Sequence, residues 1–276
     1  MSPDRRDERS LVEVLTARPR GDDCFVVMAP NWFGPQAFGG VVVGHAVNAA
    51  LQTVDDPSTL HSLHGYFLRP VAVEEPAQVR VERTRDGRTF SARQVTTEQN
   101  GKVVFSMMCS FHAPESGEEY QLRMPDDVPP PEDLESDPFD DEGSAPFEVR
   151  EALYPVPRAD GTYESTRRCW FRPVDPIPDD PVAHITLAAF FSDMTGTSFR
   201  PNNLGEWDTH TDASLDHAVW FHRPIRMDDW LLYDLYPVIN HRGRSTVRGA
   251  MYTRDGSLWL SMAQELLIRA LPPSND

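Results

Sequence analysis

The sequence predicts an α+β fold built from two copies of one unit, in which a buried helix is followed by an antiparallel sheet. Two segments, residues 38–51 and 182–194, are apolar nearly all round, which favours buried helices over strands. Each is followed by strand-like runs with hairpin signals, Asn100-Gly101 in the first case and Asp255-Gly256 in the second. Helices that alternate in this way with runs of strands are typical of the α+β class.

The elements of the first copy can be assigned in order. Ser10 and Glu13 have the spacing of a capping box, which predicts a short N-terminal helix. Residues 24–28 follow as a strand, and the apolar helix of residues 38–51 comes next. The later strands are separated by turns at Asp86-Gly87 and Asn100-Gly101, and the last of them covers residues 101–111.

The second copy repeats the first at a nearly constant offset. Trp220-Phe-His-Arg-Pro224 echoes Tyr66-Phe-Leu-Arg-Pro70, which lies 154 residues earlier. From each Arg-Pro the chain runs about the same distance to a turn and then to a Ser-Met pair, at Ser106-Met107 or Ser261-Met262. Several features that match at one offset imply a duplicated unit. We therefore expect two sheets joined edge to edge, with both helices packed on one side.

Composition indicates a linker between the copies. Residues 125–146 contain nine acidic residues and six prolines. Such a segment buries too little apolar surface to offset its chain entropy, so we expect it to be mobile. The predicted domains are an N-terminal unit over residues 1–112, the linker over residues 113–146 and a C-terminal unit over residues 147–276.

Charge and composition also narrow the functional classes. With 26 basic and 43 acidic residues, the net charge of −17 disfavours binding to nucleic acid or to an anionic membrane. The first residues are charged where a signal peptide needs an apolar core, and no apolar run reaches the roughly 18 residues of a membrane span. These features predict a cytoplasmic protein. The three cysteines are widely spaced without a CxxC pair, so we expect free thiols and no metal site.

Two polar side chains interrupt apolar patterns in the second copy. Alternate residues from Leu258 to Ile268 form the buried face of a strand, and Gln264 is the single amide among them. At helical spacing, Asp193 shares a face with apolar residues of the second helix. Burying either group alone costs a few kcal/mol, so each requires a partner or a ligand. A helix-end position near solvent is the alternative for Asp193.

The strand of residues 213–224 carries further polar groups: Ser214, Asp216, His217 and His222. Each can serve as an acid, base or nucleophile, and strand alternation does not choose among them. The chain has no G-x-S-x-G elbow, which excludes a Ser-His-Asp hydrolase of the α/β type.

Matching the two copies separates these candidates further. Aligning the Arg-Pro pairs sets Leu60 opposite Ser214, and aligning the Ser-Met pairs sets Cys109 opposite Gln264. A purely structural requirement should act on both copies. The asymmetry therefore favours a function for Ser214 and Gln264 that belongs to one site alone.

Several segments closely resemble the type II (TesB-like) acyl-CoA thioesterases, and together they span nearly the whole chain except the acidic linker. In the first copy they are Phe38-Gly-Gly-Val-Val-Val-Gly44, His61-Ser-Leu-His-Gly-Tyr-Phe-Leu-Arg-Pro70, Arg85-Asp-Gly-Arg-Thr-Phe-Ser-Ala-Arg93, Gln99-Asn-Gly101 and Ser110-Phe-His-Ala-Pro-Glu115. In the second copy they are Ser192-Asp193, Leu215-Asp-His-Ala-Val-Trp-Phe-His-Arg-Pro224, Trp230-Leu-Leu-Tyr233, Tyr252-Thr-Arg-Asp-Gly256 and Gln264-Glu265.

The resemblance implies a double hotdog fold, in which each copy is a long helix wrapped by an antiparallel sheet. It implies hydrolysis of acyl-CoA to a fatty acid and CoA without a cofactor, by a homodimer or homotetramer. The family's catalytic aspartate, hydroxyl residue and glutamine match Asp193, Ser214 and Gln264. Two departures stand out: the bacterial archetype has threonine at the position of Ser214 and glutamine at that of His45.

The chemistry of a thioester suits such a set. Because a thiolate leaves readily, an oriented water can attack the carbonyl carbon without a covalent intermediate. Asp193 would accept the proton of this water, while Ser214 and Gln264 would hold it. Backbone N–H groups at Gly39 and Gly40 are candidates for binding the substrate's oxyanion. His61 is a further candidate, as a residue that lines the acyl tunnel.

Two other functions remain open from the sequence. One is an acyl-CoA-binding hotdog protein without turnover. The other is a hotdog hydratase acting on enoyl-CoA, which requires an aspartate and a histidine facing the same thioester. Asp216 and His217 are adjacent on a strand and so point to opposite faces, which counts against this pair.

Overall fold

The computed structural model describes residues 9–32, 34–135, 147–153, 158–160, 162, 166–194 and 210–270. These ranges contain three α-helices: α1 (Leu11–Leu15), α2 (Gly39–Leu51) and α3 (Pro181–Ser192). They also contain thirteen strands: β1 (Arg18–Gly21), β2 (Cys24–Met28), β3 (Leu60–Phe67), β4 (Pro76–Asp86), β5 (Phe90–Gln99), β6 (Lys102–His112), β7 (Phe147–Leu153), β8 (Arg167–Pro173), β9 (His210–Ser214), β10 (Asp216–Phe221), β11 (Leu231–His241), β12 (Arg244–Thr253) and β13 (Leu258–Ala270).

The helices begin where the sequence places their caps. The capping box of α1 is present, with Ser10 and Glu13 each binding the backbone N–H of the other. Asp180 caps α3 by accepting from the N–H of Val182, and Pro181 occupies the first helical position. Helices α2 and α3 are buried along almost their whole length, as their apolar sequences predict. None of the described helices is long and apolar enough to cross a membrane.

The strands form one antiparallel sheet in the order β1-β2-β4-β5-β6-β3-β10-β13-β12-β11-β8-β7, and β9 also pairs with β13. The two copies meet where β3 pairs with β10, from Asp216 opposite Tyr66 to Trp220 opposite Ser62. The predicted edge-to-edge junction of the two sheets is therefore confirmed. We call this junction of β3 and β10 the seam.

Strand pairing confirms the internal repeat residue by residue. In the first copy, Tyr66 pairs with Ser106 and Gly65 with Met107. In the second copy, the matching pairs are Trp220 with Ser261 and Val219 with Met262. The next pairs along β3 and β10 correspond in the same way. The offsets of 154 and 155 residues found in the sequence thus relate structurally equivalent positions.

Helices α2 and α3 pack against each other and lie on the same side of the sheet. Phe190 on α3 contacts Phe38 at the start of α2, with ring centroids 5.5 Å apart. A single apolar core includes residues of both helices and of both halves of the sheet. The predicted arrangement, with both helices on one side, is confirmed, and it brings the start of α2 close to the end of α3.

Residues 121–134 cross the outer face of the C-terminal half of the sheet, and we call this segment the strap. Its apolar residues Met124, Val128 and Leu134 pack against a second apolar cluster that includes Trp170 and Tyr252. The indole N–H of Trp170 donates to the carbonyl of Pro129 in the strap, at 2.8 Å. This part of the expected linker is packed on the sheet. The apolar residues interspersed among the acidic ones are partly buried in this contact, which favours the packed position.

Candidate active site

Asp193 directly follows the last residue of α3 and occupies its C-cap position. The sequence pattern extended the helix through Met194, whereas the structure ends it at Ser192. The position is a helix end, yet Asp193 is only 2% exposed, because the start of α2 and the inner face of the sheet cover it. The solvent-exposed alternative for this residue is therefore wrong.

Gln264 lies on β13 with its side chain on the helix-facing side of the sheet, where it is 1% exposed. Its amide nitrogen donates both to Oδ1 of Asp193 and to Oγ of Ser214, the latter at 2.9 Å. Ser214 Oγ lies 3.5 Å from the same Oδ1 of Asp193. The structure thus brings together the three residues that the resemblance names as catalytic, and the carboxylate and hydroxyl explain why an amide is buried in an apolar face.

The position of Ser214 depends on a break in the strand predicted over residues 213–224. Ser214 ends β9 and pairs with Leu266 on β13, whereas β10 begins at Asp216 and lies between β3 and β13, with its register against β13 shifted by one residue. Leu215 between them donates its N–H to the carbonyl of Glu265. Because of this break, Ser214 reaches Asp193 while the following strand continues into the seam.

The first residues of α2 complete the surroundings of the carboxylate. The backbone N–H of Gly40 donates a hydrogen bond to Asp193. A Cβ atom on Gly39 would lie 2.5 Å from Oδ2 of Asp193, and one on Gly40 would lie 2.4 Å from the carbonyl oxygen of Phe190. Both glycines are therefore required for the close approach of α2 to the end of α3.

Burial raises the pKa of Asp193 to about 7, although hydrogen bonds from Gln264, Gly40 and Ser214 act to lower it. The nearby carboxylate of Asp212 also raises it. A carboxyl group with this pKa is partly deprotonated at neutral pH and is a much stronger base than an ordinary aspartate. A pKa shifted by burial and specific partners is typical of functional sites.

Three other candidates from the sequence, His61, Asp216 and His222, lie away from this set, whereas His217 contacts Ser192, the residue before Asp193. The Nε2 atom of His61 lies 2.9 Å from Oγ of Ser110, on the side of the sheet opposite the helices. Asp216 accepts from the backbone N–H of Glu265, and His222 contacts Ser261. The structure therefore does not bring His61 to the carboxylate, and the outer-face contact gives no support to its expected place in the tunnel.

His45 supports a neighbouring helix. Its Nε2 atom lies 2.9 Å from the carbonyl oxygen of Val14, so the ring donates to the end of α1. The side chain is 3% exposed, and burial lowers its pKa to about 4. The neutral ring thus fixes α1 against α2.

The sequence patterns missed two residues behind Asp193. Ser192 is fully buried at the end of α3, and the hydroxyl of Tyr233 on β11 donates to its carbonyl oxygen. Both lie in segments that resemble the family, Ser192-Asp193 and Trp230-Leu-Leu-Tyr233, but neither the pattern nor the resemblance gave them a role. A usable signal was present in the comparison of the copies, since the position equivalent to Tyr233 in the first copy is Val79.

Comparisons with known proteins decide the family. A family model described as "Acyl-CoA thioesterase N-terminal domain" matches residues 28–112, and one described as "Acyl-CoA thioesterase" matches residues 138–267. Acyl-coenzyme A thioesterase 8 of Homo sapiens is 32% identical over 302 residues, covering 98% of this chain and 92% of the relative. Acyl-CoA thioesterase 2 of Haemophilus influenzae is 33% identical over 252 residues, covering 85% of this chain and 88% of the relative. The chain belongs to the TesB-like type II acyl-CoA thioesterases.

Solved structures agree with this assignment. The acyl-CoA thioesterase II TesB2 of Mycobacterium marinum superposes with a TM-score of 0.80 at 38% identity, covering 95% of this chain and 99% of that one. A protein with the hot dog fold from Alicyclobacillus acidocaldarius, at 21% identity and a TM-score of 0.76, supports the fold alone. The predicted double hotdog of the α+β class is confirmed.

Membership in the family also confirms the predicted reaction, in which acyl-CoA is hydrolysed to a fatty acid and CoA. The chain is a thioester hydrolase, and acyl-CoA is its substrate. The binding-only and hydratase alternatives are therefore not needed to explain the site.

Proposed function

We propose that Asp193, Ser214 and Gln264 carry out this hydrolysis by directing one water molecule at the thioester carbonyl carbon. The observation that carries the proposal is the shared contact at Oδ1 of Asp193, which the hydroxyl and the amide both approach. Two neutral donors on one buried carboxylate orient it without neutralising it by an ion pair.

Asp193 acts as the general base. With a pKa of about 7, its carboxylate is sufficiently basic to accept a proton from water as the oxygen attacks. The hydrogen bonds from Gln264 and Gly40 hold the carboxylate in one orientation before the substrate arrives. Loss of any of these donors leaves the base present but poorly aimed.

The reacting water and the thioester meet the set on the side of Ser214. Asp193 and Gln264 are almost fully buried, whereas Ser214 is partly exposed. The Ser214 hydroxyl is therefore the group through which the set contacts an incoming molecule. It holds the water, and the thiolate of CoA leaves without help from a strong acid because the pKa of a thiol is only about 8.5.

The thioester carbonyl oxygen requires donors as negative charge develops on it. Gly40 already donates to Asp193. Gly39 precedes it at the start of α2, where a helix leaves backbone N–H groups without partners inside the helix. We assign the N–H of Gly39 to this oxyanion, with the positive end of α2 adding to its effect.

Release of free thiol from a panel of acyl-CoA esters tests the assignment. We expect Asp193→Asn and Gln264→Ala to lower kcat by about a hundredfold or more, while Ser214→Thr stays near wild type because the hydroxyl is kept. The matched control is Asp216→Asn, since this strand carboxylate does not contact Asp193, Ser214 or Gln264. Wild-type rates in both Asp193→Asn and Gln264→Ala would refute the proposal.

A second measurement separates direct attack by water from a covalent route through Ser214. Single-turnover hydrolysis, quenched at successive times, should release the fatty acid without an acylated protein detectable by mass spectrometry. An increase in protein mass by one acyl group, lost in Ser214→Ala, would favour the covalent route.

We also propose that the protein works as a homodimer or homotetramer in the cytoplasm. Tyr66, Met108 and Trp220 expose large apolar areas beside the seam, on the face turned away from the helices. Exposed apolar patches of this kind are typical of contact surfaces between subunits. Light scattering on the wild type and on Tyr66→Glu tests the assembly, and a wild-type monomer at micromolar concentration would refute it.

A further inference from the structure

The residue immediately before Asp193 is held by side chains from two different strands, one at its backbone and one at its side chain. The hydroxyl of Tyr233, on β11, donates to the carbonyl oxygen of Ser192 at 2.6 Å. The Nε2 atom of His217, on β10, lies 2.7 Å from the hydroxyl oxygen of Ser192. Tyr233, His217 and Ser192 are each at most 1% exposed, so these contacts are shielded from bulk water.

The hydrogen bonds fix the tautomer of His217. The hydroxyl of Ser192 donates its only proton to the carbonyl oxygen of Ala189, at 2.8 Å. Its oxygen must then accept from His217, so Nε2 carries the hydrogen and Nδ1 does not. Burial lowers the pKa of His217 to about 3, which keeps the ring neutral at working pH. His217 is therefore a fixed donor and does not exchange protons with the substrate.

These contacts supply a hydrogen-bond partner to a carbonyl group at the end of α3. The last carbonyl groups of an α-helix have no partner inside the helix, and burying one without a partner is costly. Tyr233 supplies that partner for Ser192, and His217 locks the side chain of the same residue. Asp193 follows Ser192 directly, so the direction of its carboxylate depends on a residue that two strands hold, through its carbonyl and through its hydroxyl.

The comparison of the two copies shows that this arrangement belongs to the second copy alone. Along β3 and β10, the residue equivalent to His217 is Leu63. Farther out in each half of the sheet, Val79 on β4 pairs with Thr97 on β5, and Tyr233 on β11 pairs with Met251 on β12, which makes Val79 the equivalent of Tyr233. Ser214 and Gln264 show the same difference between the copies, since the equivalent residues of the first copy are Leu60 and Cys109.

We propose that His217 and Tyr233 are positioning residues of the thioesterase, which clamp Ser192 and thereby aim Asp193 at Gln264, Gly40 and the attacking water. This inference rests on the proposed role of Asp193 as the base. The fold alone requires neither His217 nor Tyr233, since the first copy adopts the same fold with leucine and valine at the equivalent positions.

The test compares His217→Leu and Tyr233→Phe with the wild-type protein. Each variant should lower kcat by about tenfold to a hundredfold with KM within about twofold, because a base displaced by about 1 Å loses that much rate while substrate binding is unchanged. The rate–pH profile should shift to higher pH, since a carboxylate less well held by its donors is a weaker acid. His217→Gln keeps an N–H donor and should recover part of the lost kcat.

Two matched controls separate positioning from general stability. Tyr252, on the outer side of the sheet, has a buried hydroxyl that finds no partner among the described residues, so Tyr252→Phe should keep wild-type kcat. His184 is a buried histidine near the other end of α3 and accepts from the N–H of Met227. His184→Leu should lower the melting temperature without a shift in the rate–pH profile.

The outcomes are distinguishable. A wild-type kcat and pH profile in Tyr233→Phe, which removes one oxygen atom and keeps the aromatic ring, would overturn the clamp. The clamp is also overturned if His184→Leu and His217→Leu lose kcat equally at equal loss of melting temperature. If Asp193→Asn keeps wild-type activity, the proposed function itself fails, whatever the clamp variants show.

Discussion

Asp193 carries a conflict between stability and function within a single side chain. Its carboxylate is buried and receives hydrogen bonds from neutral groups, so the charged form that removes a proton from water is also the form that burial penalises. The sequence indicates the conflict, since an acid on an apolar helix face requires a partner. It does not indicate the partner from α2, because Gly40 contributes only a backbone N–H.

The activity should depend on pH through this carboxyl group. Since the pKa of Asp193 is about 7, kcat should rise about tenfold per unit well below pH 7 and level off above it. Thiol release measured from pH 5 to 9 at saturating acyl-CoA checks the profile. An apparent pKa near that of an ordinary aspartate, about 4, would contradict the assignment of Asp193 as the base.

Neutralising the same side chain should stabilise the fold at alkaline pH. Folding raises the pKa of Asp193 from 3.8 to about 7, so its stabilising contribution is complete below pH 3.8 and is lost as the pH rises through 7. Asp193→Asn removes this loss and keeps the shape. We expect the free energy of unfolding at pH 8 to increase by roughly 1–4 kcal/mol.

Urea denaturation of both proteins at pH 8 and pH 5 measures the effect. The difference between variant and wild type should shrink at pH 5, where most native molecules already carry a protonated Asp193. A variant that is less stable than wild type at both pH values would show that the amide cannot replace the carboxyl in its hydrogen bonds.

At the scale of elements, the site is the place where the start of α2 meets the end of α3. Apolar periodicity predicts both helices to within one or two residues, since each is buried along almost its whole length. It cannot predict the break at Leu215, because the register of the chain against β13 shifts there by one residue, from Ser214 opposite Leu266 to Ala218 opposite Ala263. Propensity and pattern report local structure, and this break is set by tertiary pairing.

The close approach of the two helices gives a prediction about glycine. Gly39→Ala would place a methyl group 2.5 Å from the Asp193 carboxylate, so kcat should fall by about a hundredfold or more. Gly44→Ala is the matched control on the same helix, because its methyl group would meet only the flexible end of Leu15, at 3.0 Å. Activity in Gly44→Ala should be unchanged, with stability within about 1 kcal/mol of wild type.

Thiol release and thermal denaturation of both variants check this difference. If Gly39→Ala were as active as Gly44→Ala, the helices could separate at little cost, and the carboxylate would not need the contact with α2. A loss of activity in both variants would show instead that α2 tolerates no added methyl group anywhere along its buried face.

At the scale of the whole molecule, two copies share one sheet and one core. Five residue pairs join β3 and β10, and the main apolar cluster includes both helices and both halves of the sheet. The duplication, the edge-to-edge junction and the position of the helices are all readable from the repeated Arg-Pro and Ser-Met spacing. The packing of the strap cannot be read from the sequence, because its many acidic residues obscure the three apolar residues that attach it to the sheet.

Because core and sheet are continuous, the two copies should unfold together. Tryptophan fluorescence and far-UV circular dichroism should give coincident urea transitions, with a calorimetric enthalpy equal to the van 't Hoff enthalpy. Ala218→Pro removes a backbone donor in the middle of the seam and should lower the single transition rather than split it. Two resolved transitions in the wild-type protein would contradict this expectation.

The strap makes the outer faces of the two halves of the sheet different, although the halves themselves are similar. It covers the outer face of the C-terminal half, where the indole of Trp170 and the side chain of Arg254 bind it, while the N-terminal half has no such cover among the described residues. A molecule that approaches this side of the sheet therefore meets an uncovered region at one end only. Copies that associate through it must face each other by the same end, which produces closed pairs and prevents growth into open filaments.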